Sequence, residues 1–306
     1  MLTPYRAPLM PSTSAGQHEP APLPPGCTEG YAATNGIRLH YVTAGAGPLV
    51  LLLHGFPEFW YSWRWQLPAL AHSFRVVAPD LRGYNLSDRP ASGYDLASLT
   101  DDLRGLIAAL GEREAHVAGH DWGGALAWAL AIRAPEAVRR LAILNAPHPG
   151  PFVRELRSPG QLRRSAYIGF FQFRGLAERV IQRDDFAMLR RTLRAADRGR
   201  AWLADADIQR YVDDMARPCA LADALAYYRQ IARPAALRLV SPTRVITSPT
   251  LVLWGELDPY LGAGLLDGLD RWVRDLRVVR FPTAGHWLNQ QEPQRVNAEL
   301  AAFLAE

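Results

Sequence analysis

Lysine is absent from this chain of 306 residues, so all 34 basic side chains are arginines. Set against 30 Asp and Glu they leave a net charge of only +4. The arginines interleave with acidic residues instead of clustering, and no RNA- or DNA-binding motif accompanies them. We read the bias as genomic base composition and expect no nucleic-acid partner. Cysteine is almost missing too. Cys27 and Cys219 cannot build a disulfide framework and lack the spacing of a metal site. That fits a reducing compartment, and a cytoplasmic location is expected. No apolar run approaches the ~18 residues of a membrane helix; the longest, 48–53, has the length of a strand. The first residues lack the continuous apolar stretch of a secretory signal, and no membrane partner is expected.

What is present describes a folded α/β protein. Hydrophobic residues make up 49% and charged residues 21%, enough for a core and unlike a disordered chain. Residues 1–26 hold seven prolines in the first 25 positions and read as a flexible arm. Two strands, 31–34 and 37–43, flank Asn35-Gly36, a strong hairpin turn. Strands are expected at 49–54, 74–79, 114–119 and 138–144, with helices at 96–110 and 122–133 between them. Residues 148–245 break this rhythm with several helical stretches. They carry 18 Arg against 10 acidic residues, a net +8 that leaves −4 for the remainder. The alternation resumes with strands at 250–254 and 276–281 and helices at 262–273 and 293–304. The expected architecture is a mostly parallel sheet flanked by helices, built from 27–147 and 246–306, with 148–245 inserted as a helical lid.

The most informative segment is Val117-Ala-Gly-His-Asp-Trp-Gly-Gly124, where a strand gives way to a helix. Small residues at −2, +2 and +3 around Asp121 suit a sharp turn. This is the nucleophile-elbow pattern with Asp in place of Ser. An Asp capping the following helix is the plainer alternative. Later in the chain, Leu251-Val-Leu-Trp-Gly-Glu-Leu-Asp258 is a strand ending in a carboxylate, and Phe281-Pro-Thr-Ala-Gly-His286-Trp287 a strand followed by histidine. Nucleophile, acid and histidine thus come in the order of an α/β-hydrolase triad, with Glu256 a weaker candidate acid. His54-Gly-Phe56-Pro ends the apolar strand. Its Phe56 N–H, with that of Trp122, is expected to form an oxyanion hole.

Four segments together, 54–66 (HGFPEFWYSWRWQ), 80–88 (DLRGYNLSD), 119–124 (GHDWGG) and Gly285-His286-Trp287, resemble the α/β-hydrolase-fold epoxide hydrolases of the soluble type. The resemblance covers about residues 28–306. It implies two lid tyrosines. Residues 165–172 (SAYIGFFQ) resemble the first such helix and place Tyr167. Residues 224–229 (ALAYYR) resemble the second, where the tyrosine directly precedes Arg and so is Tyr228. Neighbours on a helix point about 100° apart, so Tyr227 and Tyr228 cannot both face one site. Tyr211 is taken as structural, as are His120 and the remaining histidines. Trp60, Trp63 and Trp65 are expected to pack behind the oxyanion loop, and Phe56, Trp122 and Trp287 to line an apolar pocket.

The residue types fit that chemistry. A carboxylate is ionised at neutral pH and attacks without a base. On an ester carbonyl it would give a mixed anhydride; on saturated carbon it gives a stable alkyl ester. The substrate therefore carries a leaving group on sp³ carbon, an epoxide oxygen or a halide. An opening epoxide needs a proton, which phenols supply. A halide needs only weak N–H donors. The expected reaction is epoxide plus water to a vicinal diol, through an ester on Asp121 hydrolysed by water that His286 and Asp258 activate. The expected substrate is a small apolar epoxide, with no metal or organic cofactor, in a monomer or homodimer. The rivals are a haloalkane or haloacetate dehalogenase with the same nucleophile and, from another class, a non-catalytic receptor of this fold. Haloalkane enzymes share Trp122 but usually have Asn where this chain has Phe56. Haloacetate enzymes have Arg where Trp122 stands.

Overall fold

Asn35 and Gly36 both take left-handed φ angles, 44° and 76°, which matches the right-handed twist of the strands they join. The strands are β1 (Thr28–Thr34) and β2 (Ile37–Ala44). The computed structural model describes residues 20–197, 202–231 and 245–306. The expected arm therefore lies mostly outside the described residues. Six further strands follow: β3 (Leu49–Leu53), β4 (Arg75–Pro79), β5 (Ala115–His120), β6 (Val138–Leu144), β7 (Thr250–Gly255) and β8 (Leu276–Phe281). They form one eight-stranded sheet in the order β1-β2-β4-β3-β5-β6-β7-β8. β2 pairs antiparallel with β1 and β4, and the other pairings are parallel. β3, β5 and β7 are buried along their whole length. That is why they read as unbroken apolar or small-residue runs and not as alternating ones.

Helices α1 (Gln66–Leu70), α2 (Leu96–Ala109) and α3 (Trp122–Arg133) follow β3, β4 and β5. Asp95 caps α2 by accepting from Ala97 N–H and Ser98 N–H, both at 3.1 Å. Buried Arg82 forks onto Asp102 of α2 at 2.7 and 2.6 Å and fixes the loop after β4. Between β6 and β7 the chain inserts α4 (Pro149–Glu155), α5 (Pro159–Arg164), α6 (Ala166–Phe170), α7 (Leu176–Asp197), α8 (Asp205–Ala216) and α9 (Ala220–Ile231). This insertion is tied to the sheet side by buried phenols. Tyr227 OH donates to Arg82 O at 2.7 Å, and Tyr211 OH to Gln290 Oε1 at 3.0 Å. Two helices close the chain, α10 (Leu288–Gln291) and α11 (Pro293–Ala305).

The structure corrects two expectations. Residues 262–273 form no α-helix but two 3-10 turns, Ala263–Leu266 and Leu269–Arg271. Three glycines weaken the helix, and Gly268 breaks it in the left-handed region at φ 68°. Trp60 and Trp63 are buried as expected, but Trp65 is half exposed with the Arg64 guanidinium over its ring. Among the described residues no helix is long and apolar enough to cross a membrane.

Candidate active site

Asp121 sits alone between β5 and α3, at φ 50° and ψ −117°. A carbon atom added at Gly123 would meet the carbonyls of Leu53 and His54; one at Gly119 would meet the Gly123 carbonyl; one at Gly124 would meet Ala146. Only glycine lets the chain reverse this sharply, and the reversal lifts Asp121 above the carboxyl ends of the parallel strands. Ligand sites in open α/β sheets lie at this edge.

The three triad candidates meet there. His286 Nε2 lies 3.4 Å from Asp121 Oδ2. His286 Nδ1 lies 2.8 Å from Asp258 Oδ2. Asp258 is further held by Asn145 Nδ2 at 2.7 Å, Tyr260 N–H at 2.7 Å and Leu261 N–H at 3.0 Å. Phe56 N–H donates to the other oxygen, Asp121 Oδ1, at 2.8 Å. Trp122 opens α3, so its N–H has no acceptor within the helix. Glu256 is not at the site; it is exposed and pairs with Arg280 at 3.1 Å.

Electrostatics sort the charges. Burial disfavours an ionised Asp121. The hydrogen bond and charge of His286, the charge of His120 and the Phe56 N–H outweigh it and hold the carboxyl below its ordinary range. Burial likewise opposes a charged His286, but Asp258 and Asp121 overcome it and push the imidazole up to about 10. The resting site therefore sets an ionised Asp121 against a charged His286. His120 lies below it, bridging Glu58 Oε2 and the His286 carbonyl, both at 2.8 Å. Glu58 also accepts from Gly55 N–H at 2.9 Å, so one buried carboxylate braces the oxyanion loop and the histidine loop together.

Above Asp121 lies an apolar cavity of about 170 Å³. Phe56, Tyr167, Phe171, Tyr228, Tyr260 and Trp287 line it. A second, of about 90 Å³, meets Asp121, Tyr167 and Tyr228 from the other side, with Trp122 in its wall. Tyr167 and Tyr228 stand edge-to-face, ring centroids 5.8 Å apart. Burial, then the charge of Asp121, pushes both phenols well above their ordinary range, so both are protonated at neutral pH. Tyr227 points away, onto Arg82. Asp121, Asp258, His286, Phe56, Trp122, Trp287, Tyr167 and Tyr228 thus come together at this edge, and Glu256 does not.

A family model for the alpha/beta hydrolase fold matches residues 48–293. Human epoxide hydrolase 4 is 39% identical over 282 residues, 89% of this chain and 77% of that protein. The chain belongs to the α/β-hydrolase-fold epoxide hydrolase family. A second relative, the AB hydrolase superfamily protein YfhM of Bacillus subtilis, is 37% identical, covering 90% of this chain and 96% of its own length. Among solved structures, the Bacillus megaterium epoxide hydrolase bound to an inhibitor superposes with a TM-score of 0.85. It has 35% identity over 90% of this chain and all of its own.

Sequence reasoning missed part of this family member's site. Asn145 was detectable as the polar residue just after β6, beside the acid-bearing β7. Tyr260 follows Asp258 by two residues, and its ring packs against His286 with centroids 5.3 Å apart. Met188, Leu189 and Thr192 enter the cavity wall from the second half of α7 and carry no motif.

Proposed function

We propose that this protein hydrolyses small apolar epoxides to vicinal diols, with residues 148–245 as a lid. The observation that carries the reading is the pair of protonated phenols, Tyr167 and Tyr228, facing an ionised Asp121 across one apolar cavity. The family's name supports it.

Asp121 Oδ1 is held by the Phe56 N–H, which leaves Oδ2 to attack a ring carbon. A C–O ester bond forms, the ring C–O bond breaks, and its electron pair goes to the ring oxygen. That alkoxide takes a proton from Tyr167 or Tyr228. Esterification also removes the Asp121 charge beside His286, and with it part of what holds the imidazolium proton. That proton makes good the one the phenol gave up and leaves His286 neutral. His286, oriented by Asp258, then takes a proton from water, and the hydroxide adds to the Asp121 carbonyl carbon. The oxyanion develops on Oδ1, against the N–H groups of Phe56 and Trp122. Collapse expels the diol oxygen, which takes the proton back from His286. Asp121, left as its carboxylic acid, passes its proton to His286, which restores the carboxylate and the imidazolium.

One observation favours dehalogenation instead. Trp287 lines the cavity, and its buried Nε1 has no hydrogen-bond partner among the described residues, the kind of weak donor that suits a halide. Turnover of styrene oxide against 1-bromobutane decides between them. Diol formation with no bromide release is expected; bromide release without diol overturns the reading; turnover of neither favours the non-catalytic receptor.

A further inference from the structure

The first turns of α7 are apolar on both sides. Ala177 and Ile181 face inward and are buried, Ile181 in the cavity wall. On the outer side, Leu176 and Val180 lie one turn apart and are 52% and 41% exposed. Phe173, three residues before Leu176, is 61% exposed and continues the stripe. An outer helix face ordinarily carries polar residues. Arg174 and Arg179 stand beside this stripe, exposed, and form no ion pair among the described residues. The whole insertion carries a net +8 against −4 for the remainder of the chain.

We propose that this face docks on a bilayer surface bearing anionic lipid. Phe173, Leu176 and Val180 enter the headgroup boundary, and Arg174 and Arg179 meet lipid phosphates, which guanidinium groups bind in a fork. A second copy of the chain is disfavoured as occupant, because two such faces would bring like charges together. An anionic surface is complementary to them. The expectation of no membrane partner rested on the lack of a spanning segment, and surface docking needs none. The helix that would touch lipid also walls the cavity, one helix diameter away, roughly 10 Å. Delivery of an apolar epoxide from the bilayer rests on the function proposed above; the docking does not.

Flotation of the full chain with vesicles tests this without any turnover, so its failure leaves the epoxide reading untouched. Binding is expected to mixed phosphatidylcholine–phosphatidylglycerol vesicles, weakened by salt, and much less to phosphatidylcholine alone. Arg174→Gln and Arg179→Gln should each lower partitioning about fivefold. The triple variant Phe173→Ser/Leu176→Ser/Val180→Ser should lower it at least about tenfold. Circular dichroism melting checks that each variant is folded. No flotation with the mixed vesicles, or flotation equal in folded variants, overturns the proposal. So does a dimer by light scattering that the triple variant dissociates, since the face would then belong to a second copy.

Discussion

Replacing Tyr167 and Tyr228 by phenylalanine, singly and together, separates epoxide opening from displacement of a halide. Each change removes one hydroxyl and keeps the ring, so the edge-to-face contacts of Tyr228 with Tyr167, Phe56 and Trp122 are retained. The fold should therefore survive. A general acid contributes about 10²–10⁴-fold, or roughly 3–5 kcal/mol of barrier. In the proposed mechanism both phenols serve the same oxygen, so either alone should still donate. A single variant should lose about tenfold in ring opening, and the double variant the whole contribution, about 10²–10⁴-fold. Stopped-flow fluorescence reads the step directly, because Trp122 lies 4.9 Å from Tyr228 and Trp287 4.9 Å from His286, centroid to centroid. The double variant should show no fast fluorescence phase with an epoxide. Normal ring opening in the double variant would refute the assignment of the phenols as the proton donors.

The elbow and the insertion give further expectations. Gly123→Ala puts a methyl group against the Leu53 and His54 carbonyls, so it should cost about 1–3 kcal/mol in urea unfolding and remove activity by shifting Asp121. His148 caps α4 by accepting from Gly150 N–H, and its Nε2, between Trp128 and Trp272, is buried with no partner among the described residues. Burial lowers it from 6.5 to about 4. The folded state therefore binds fewer protons than the unfolded one in that window, and stability should fall as pH drops from 6.5 towards 4, by about 3 kcal/mol in all. His148→Asn keeps a cap acceptor and cannot titrate, so its unfolding free energy should lose less over the same interval. An equal slope in both proteins would contradict this.

Much of the fold was legible because its strongest signals are local. Asn35-Gly36 specifies a turn, and β3 reads as a strand because both its faces are covered. Glycine at 119, 123 and 124 marks a reversal that no side chain permits. Asp121, Asp258 and His286 were placed by the ends of strands that the sheet later gathers. The large wall of the cavity was not legible. Met188, Leu189 and Thr192 reach it because α7 turns at Asp184, Asp185 and Phe186, all near φ +50° (51°, 53° and 56°), with no glycine or proline to announce the bend. Residues 262–273 misled for the opposite reason. Their apolar spacing is helical, but three glycines make the backbone cost of a helix too high.

The central claim is a covalent ester on Asp121, and His286→Ala tests it most directly. In His286→Ala, His120 and the Phe56 N–H still favour the charged form of Asp121, so on this account alkylation proceeds without the imidazole, whereas water is left without its base. Incubated with an epoxide, His286→Ala should gain the mass of one substrate molecule, and peptide mapping should place it between Gly119 and Gly124. Asp258→Asn should slow breakdown of the same adduct less completely. If His286→Ala acquires no adduct while Tyr167 and Tyr228 are intact, the ester does not form. Direct attack of water on the epoxide, with Asp121 as general base, would then replace this account.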